Sequence, residues 1–390
     1  MVTAIRPTGQ RDLRIDFFRG LALIFIFIDH IPDNKLAHFT LHSFGFADAA
    51  EVFVLLAGFS TVLAYAGTFE TQGFQAGTAR VLRRARDIYL WHFALLVLCG
   101  FGLTAIAYAV ANPAYIEGLK LHIFAEQPLH ALFLGATLIN QPNLLNILPL
   151  YVMLLLAWTP LLLWLVVRAP LAAVGVSVAI WAIANVYSVN LPSYQHPEGW
   201  VFNPFAWQLL MTLGAVAARY SLRNAVPFVP ALVVLAAVYV AFAFLYAAPW
   251  TLIPGLEAHR LLPQDALGTI DRIYLSGWRL LNILALGYLV LVLVSADGSW
   301  LRQRWATAVG NCGRHSLQIF CLATVLSLAG WVLLTQFSSA GIGPQMVVNI
   351  AGIGLLLATA WMLSERKRLR LAARRVPAVA PAARSELQLL

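Results

Sequence analysis

The sequence predicts an all-α, polytopic integral membrane protein of about ten transmembrane helices, with its N- and C-termini cytoplasmic. Three observations carry this. Of 390 residues, 61% are hydrophobic and 11% charged, against about a quarter charged in ordinary soluble domains, and the mean hydropathy is +0.77. Apolar runs long enough to cross a bilayer core, roughly 20 residues each, follow one another with short polar connections. The basic residues crowd into alternate connections, as the positive-inside rule requires.

The runs fall near 14–31, 45–66, 88–111, 144–167, 170–188, 204–220, 228–248, 277–295, 313–335 and 344–363. A further piece at 129–139, "LHALFLGATLI", is too short to span and reads as interfacial or re-entrant. With the N-terminus inside, the inner segments hold 20 of the 26 Lys and Arg residues, Arg83, Arg84 and Arg86 among them in the loop before the third span. The outer loops hold four, Lys35, Lys120, Arg260 and Arg272, while Arg19 and Arg279 lie within spans. Residues 1–13 then form a cytoplasmic N-terminal segment, 14–363 one membrane domain and 364–390 a basic cytoplasmic tail suited to anionic lipid. The N-terminus has no cleavable signal pattern, so the first span is expected to stay in the mature protein, with no soluble domain on either side.

The net charge of +9 does not point to nucleic acid. That would need a basic patch on a soluble face, whereas these cations sit between apolar spans; the expected partner is membrane lipid. Cys99, Cys312 and Cys321 lack metal-ligand spacing and read as buried hydrophobes, so no metal is expected. Oligomeric state is not legible.

The first span, "RIDFFRGLALIFIFIDHI", carries ionisable residues at both ends, where they are costly and usually functional. At 100° per residue, Asp12, Asp16, Arg19 and His30 share one stripe and Asp29 points about 100° away. Arg19 and His30 are eleven positions apart, about 16 Å along the axis. The second span opens from the outer side with Asp48 and Glu51 one turn apart, at the depth of His30. A histidine among carboxylates in a partly dry cavity is suited to act as a base near neutral pH.

Several blocks together, "RIDFFRGLAL" with "DHIPDN", "GFADAAEVFVLLAGF", "RRARDIYLWH", "LPLYVMLLL", "PEGWVFNPFAWQLL" and "GRHSLQIFCLATVLS", resemble the OpgC family. Its members are membrane proteins that succinylate osmoregulated periplasmic glucans, within the wider membrane acyltransferase 3 superfamily. The blocks run in order from about residue 11 to 330. The superfamily's Arg-then-His pattern on the first helix falls on Arg19 and His30.

The resemblance implies a bacterial inner-membrane O-acyltransferase. It would take an acyl group, succinyl by this likeness, from cytoplasmic acyl-CoA as co-substrate, with no tightly bound cofactor. The acceptor would be a hydroxyl of a periplasmic glucan, with His30 as general base and Arg19 beside the coenzyme. Asp29 or Glu51 would orient the imidazole, as in triad logic. Arg83, Arg84 and Arg86 suit coenzyme phosphates, or simply fix topology. Arg314 and Ser316, in the Gly-rich "GNCGRHSLQIF", would sit at a helix N-terminus that favours anions. His92 is either a core histidine or part of the coenzyme path.

On the outer side, Trp200, Asn203, Trp207 and Gln208 combine aromatic faces with amides, as a sugar site does, with an aromatic belt as the rival reading. Arg279 either holds the succinyl carboxylate or pairs with Asp48 and Glu51. A different class of function, a transporter or flippase using these charges as a relay, lacks the internal repeat such folds carry. A non-catalytic scaffold leaves the intramembrane ionisable groups unexplained.

Overall fold

The computed structural model describes residues 12–247, 262–263, 266–336 and 341–375. Among these, all regular structure is helical: α1 (Leu13–Asp29), α2 (Ala49–Thr71), α3 (Gly73–Ala109), the short α4 (Ala114–Leu119), α5 (His122–Glu126) and α6 (Pro128–Ala136), then α7 (Ile147–Arg168), α8 (Pro170–Tyr187), α9 (Pro204–Ser221), α10 (Pro230–Ala247), α11 (Gly277–Leu293), α12 (Arg304–Arg314), α13 (Ser316–Gln336) and α14 (Ile342–Arg375). Each expected span holds a helix, and the short apolar piece is α6. Seven of these helices are long and apolar enough to cross a membrane: α2, α3, α7, α8, α10, α13 and α14. The protein is thus a multi-pass membrane protein. α11 is apolar but has 17 residues. α1 also has 17, and α9 spends three of its 18 positions on Gln208, Thr212 and Arg219.

Local chemistry sets the helix ends. Asp12 caps α1 by accepting from the Arg14 amide at 3.0 Å. Asp48 and Glu51 form a reciprocal capping box on α2. Asn203 caps α9, with Pro204 at the first helical position. In α7 a π turn at Leu154–Trp158 precedes Pro160, which lacks the N–H of a regular ladder and so favours such a local rearrangement.

The arginines expected in a loop before the third span lie elsewhere. Arg83, Arg84 and Arg86 sit inside the continuous 37-residue α3. No proline interrupts 74–109, and arginine is a good helix former, so the charges end the apolar stretch without ending the helix.

Glycines set the closest helix crossings. A Cβ on Gly20 of α1 would stand 1.9 Å from the Val309 carbonyl oxygen of α12, and one on Gly313 of α12 would stand 1.9 Å from the Asp16 carbonyl oxygen of α1. The α2–α9 crossing repeats the device: Gly58 meets the Met211 carbonyl oxygen at 1.9 Å, and Gly214 meets that of Leu55 at 2.0 Å. Small residues that let backbones touch are how membrane helices gain packing without a hydrophobic drive. α1 is thereby held among α2, α12, α13 and α14, whereas α8, α10 and α14 are the least buried of the seven long apolar helices and lie at the periphery.

Candidate functional site

Polar side chains on α1 make two clusters, one towards each end. In the first, the Arg19 guanidinium donates from Nη1 to Ser60 Oγ of α2 at 3.2 Å and from Nη2 to Ser316 Oγ of α13 at 2.7 Å. It lies over the Phe53 ring, 5.7 Å from the centroid. One turn earlier, buried Asp16 accepts from Arg314 Nε at 3.1 Å. Two members of the predicted stripe, Asp16 and Arg19, therefore face α2, α12 and α13, where Arg19, Arg314 and Ser316 come together, whereas Asp12 pairs with Arg14. The glycines of "GNCGRHSLQIF" serve packing. Gly310 and Gly313 lie within α12, and Gly313 admits the α1 backbone.

The second cluster surrounds His30, which caps the far end of α1. Its Nδ1 is buried and has no hydrogen-bond partner among the described residues. Asp29, Arg272 and Asp48 are the charges whose fields reach the ring. Neither carboxylate expected to orient His30 hydrogen-bonds to it. Asp29 instead accepts from Thr40 Oγ1 at 2.5 Å and lies 3.2 Å from His42 Nδ1. The hydrogen bond to Asp29 raises the His42 pKa above 6.5. Glu51 has no exposed surface. Its Oε1 accepts from Arg279 Nε at 2.6 Å, and its Oε2 accepts from the Asp48 amide at 2.9 Å. Asp48 Oδ2 takes both Arg279 Nη2, at 3.1 Å, and Arg272 Nη2, at 2.7 Å. Of the two roles open to Arg279, the structure displays the pairing with Glu51 and Asp48.

The remaining expected residues are spread out. Trp200, Asn203, Trp207 and Gln208 are buried, and their polar edges are taken inside the protein. Trp200 Nε1 donates to the Pro192 carbonyl and Trp207 Nε1 to that of Arg272. Asn203 Nδ2 donates to the Val189 carbonyl. Gln208 Nε2 donates to the Ser177 carbonyl, and the Ser177 hydroxyl donates to Gln208 Oε1. His92 has no exposed surface, and neither ring nitrogen has a partner among the described residues. Arg83 and Arg86 are exposed and Arg84 half-buried. Thr40, His42 and Arg272 were not singled out from the sequence. Their signals in the sequence are a second histidine in "HFTLHSF" and one of two arginines among four outer cations.

An apolar crevice of about 370 Å³ lies beside α1, lined by residues such as Phe18, Leu21, Phe25, Leu55 and Leu291. Neither Arg19 nor His30 lines it. Of the stripe, Asp12 lines the crevice, with Arg14 beside it, and Asp16 does not.

A family model described as OpgC protein matches residues 11–368. The chain belongs to the OpgC family. Neither a curated protein nor a solved structure matches it. Membership of OpgC brings a transferase function of the glucan-succinylating type, carried by a multi-pass membrane protein. Both α1 clusters lie within the segment matched as OpgC.

Proposed function

We propose that the chain is an O-acyltransferase of the bacterial inner membrane. It moves a succinyl group from cytoplasmic succinyl-CoA to a hydroxyl of a periplasmic glucan, with His30 as general base. The observation that carries this reading is the buried, unpartnered Nδ1 of His30 at the end of α1, set among charged groups that are themselves paired. The Arg19-to-His30 spacing further supports a place in the acyltransferase 3 superfamily. The excess of basic residues in alternate connections supports ten spans with both ends cytoplasmic.

The reaction follows from elementary chemistry. His30 takes the proton of a glucosyl hydroxyl as its oxygen bonds to the thioester carbonyl carbon. The tetrahedral intermediate collapses with cleavage of the C–S bond, and the imidazolium returns its proton to the departing thiolate. The products are a succinyl ester and free coenzyme A. Asp29 and Asp48 supply negative potential to the transient imidazolium. Arg19, held by Ser60 and Ser316, flanks the route of the coenzyme arm, and Arg83, Arg84 and Arg86 offer cations to its phosphates.

The test is His30→Ala in membranes supplied with succinyl-CoA and glucan, read by mass spectrometry. We expect the increment of one succinyl group to disappear from the glucan while succinyl-CoA still binds. Undiminished transfer would reject His30 as the base. Movement of glucan without acylation in the unaltered protein would favour a transporter.

A further inference from the structure

Arg272 stands apart from the other charges around His30. Its backbone is fixed: its carbonyl accepts from Trp207 Nε1 of α9 at 2.9 Å and from the Leu275 amide at 3.2 Å. The preceding Asp271 side chain accepts from the amides of Ile273 and Tyr274, at 2.9 and 2.8 Å. The side chain is not used up. Its Nη2 is on Asp48 Oδ2, but a guanidinium has five N–H donors, and no other bond from this side chain occurs among the described residues. The side chain is 48% exposed, whereas that of Arg279 is 9% exposed and tied to both Glu51 and Asp48. Two arginines therefore share one acidic pair. Arg279 is the buried one that holds α11 to α2, and Arg272 is the accessible one, held in place by Asp48.

We infer that Arg272 binds the free carboxylate of the acyl group being transferred, and so selects a dicarboxylic acyl donor over a monocarboxylic one. This rests on the reaction proposed above. With the coenzyme arm rising past Arg19 and the thioester at His30, the far end of the acyl chain continues outward. Asp48 and Arg272 are the paired charges near enough to act on the His30 ring. A succinyl group places its carboxylate two methylenes beyond the thioester carbonyl, so its partner must be a cation close to His30, and Arg272 is the exposed one whose charge acts on that ring. The planar fork of arginine suits a carboxylate better than a lysine ammonium does.

The experiment compares succinyl-CoA with butyryl-CoA, which has the same chain length with a methyl in place of the carboxylate. The acceptor is an uncharged glucan in every arm, so that an acidic acceptor cannot mimic the effect. The unaltered protein is expected to prefer succinyl-CoA in kcat/KM. In Arg272→Gln that preference falls about ten- to a hundredfold, the worth of a hydrogen bond to a charged group. Arg272→Lys retains part of it. The ratio isolates the carboxylate contact, because a general loss of folding lowers both donors together. A preference unchanged in Arg272→Gln overturns the inference, as does an unaltered protein that uses both donors equally. Absence of transfer from either donor in the unaltered protein rejects the proposed reaction instead.

Discussion

Asp29 and His42 show how a single residue can take a role different from the one its position implies. On the helix wheel Asp29 points about 100° away from His30, yet adjacency in sequence makes it an obvious orienter. The loop after α1 folds back and brings Thr40 and His42 onto the same carboxylate, and no periodicity argument can see that return. The hydrogen bond to Asp29 raises the His42 pKa above 6.5. A group whose folded pKa is raised contributes stability that is fully present below its unfolded value. That contribution is lost as pH rises through the folded value. The loop that follows α1 is therefore expected to loosen as pH climbs from about 6.5. In Asp29→Asn the His42 titration midpoint, followed by NMR of labelled histidine, should fall towards 6.5, and the change in thermal stability with pH above that point should flatten. A midpoint unmoved by the substitution would mean that the Asp29 contact does not form in solution.

Among elements, helices are legible wherever an apolar run is long enough to span, and every expected span has its helix. Where α3 begins was not legible. Arginines at 83, 84 and 86 look like a loop to a hydropathy argument but are comfortable in a helix, and no breaker stops the chain there. The partners of each helix were also hidden, because a crossing joins segments far apart in sequence. Gly20 with Gly313, and Gly58 with Gly214, are meaningful only as pairs, and a single glycine in an apolar run announces no partner. These crossings give a sharp expectation. Gly214→Leu forces α9 away from the Leu55 carbonyl of α2 and should cost about 1–3 kcal/mol or more, the range for overpacking. Gly175→Leu on α8, where an added Cβ meets no atom within 4 Å, should leave stability within about 0.5 kcal/mol. Thermal unfolding of the two variants in detergent reads the difference directly; equal midpoints would show that the α2–α9 contact does not require the glycine.

At the scale of the whole molecule, the proposed reaction depends on a direction. It requires coenzyme to meet the Arg19 side and glucan the His30 side, which would place one end of α1 at the cytoplasm and the other at the periplasm. The distribution of basic residues predicts that direction, and the structure offers exposed positions at which to test it. Lys35 is exposed just beyond His30, and Arg86 and Arg302 are exposed on the expected inner side. Cys99, Cys312 and Cys321 are all buried, so the native thiols should give little background with a polar maleimide. Single cysteines at the three exposed positions can then be probed in cells whose outer membrane has been made permeable. Lys35→Cys should label with a membrane-impermeant maleimide, while Arg86→Cys and Arg302→Cys should label only after the inner membrane is breached. Labelling of Lys35→Cys and Arg86→Cys from the same side would break the scheme at its root, since the two α1 clusters would no longer face opposite compartments. The expected pattern would make α1 the element that links them, with about 16 Å of helix between a cation for the donor and a base for the acceptor.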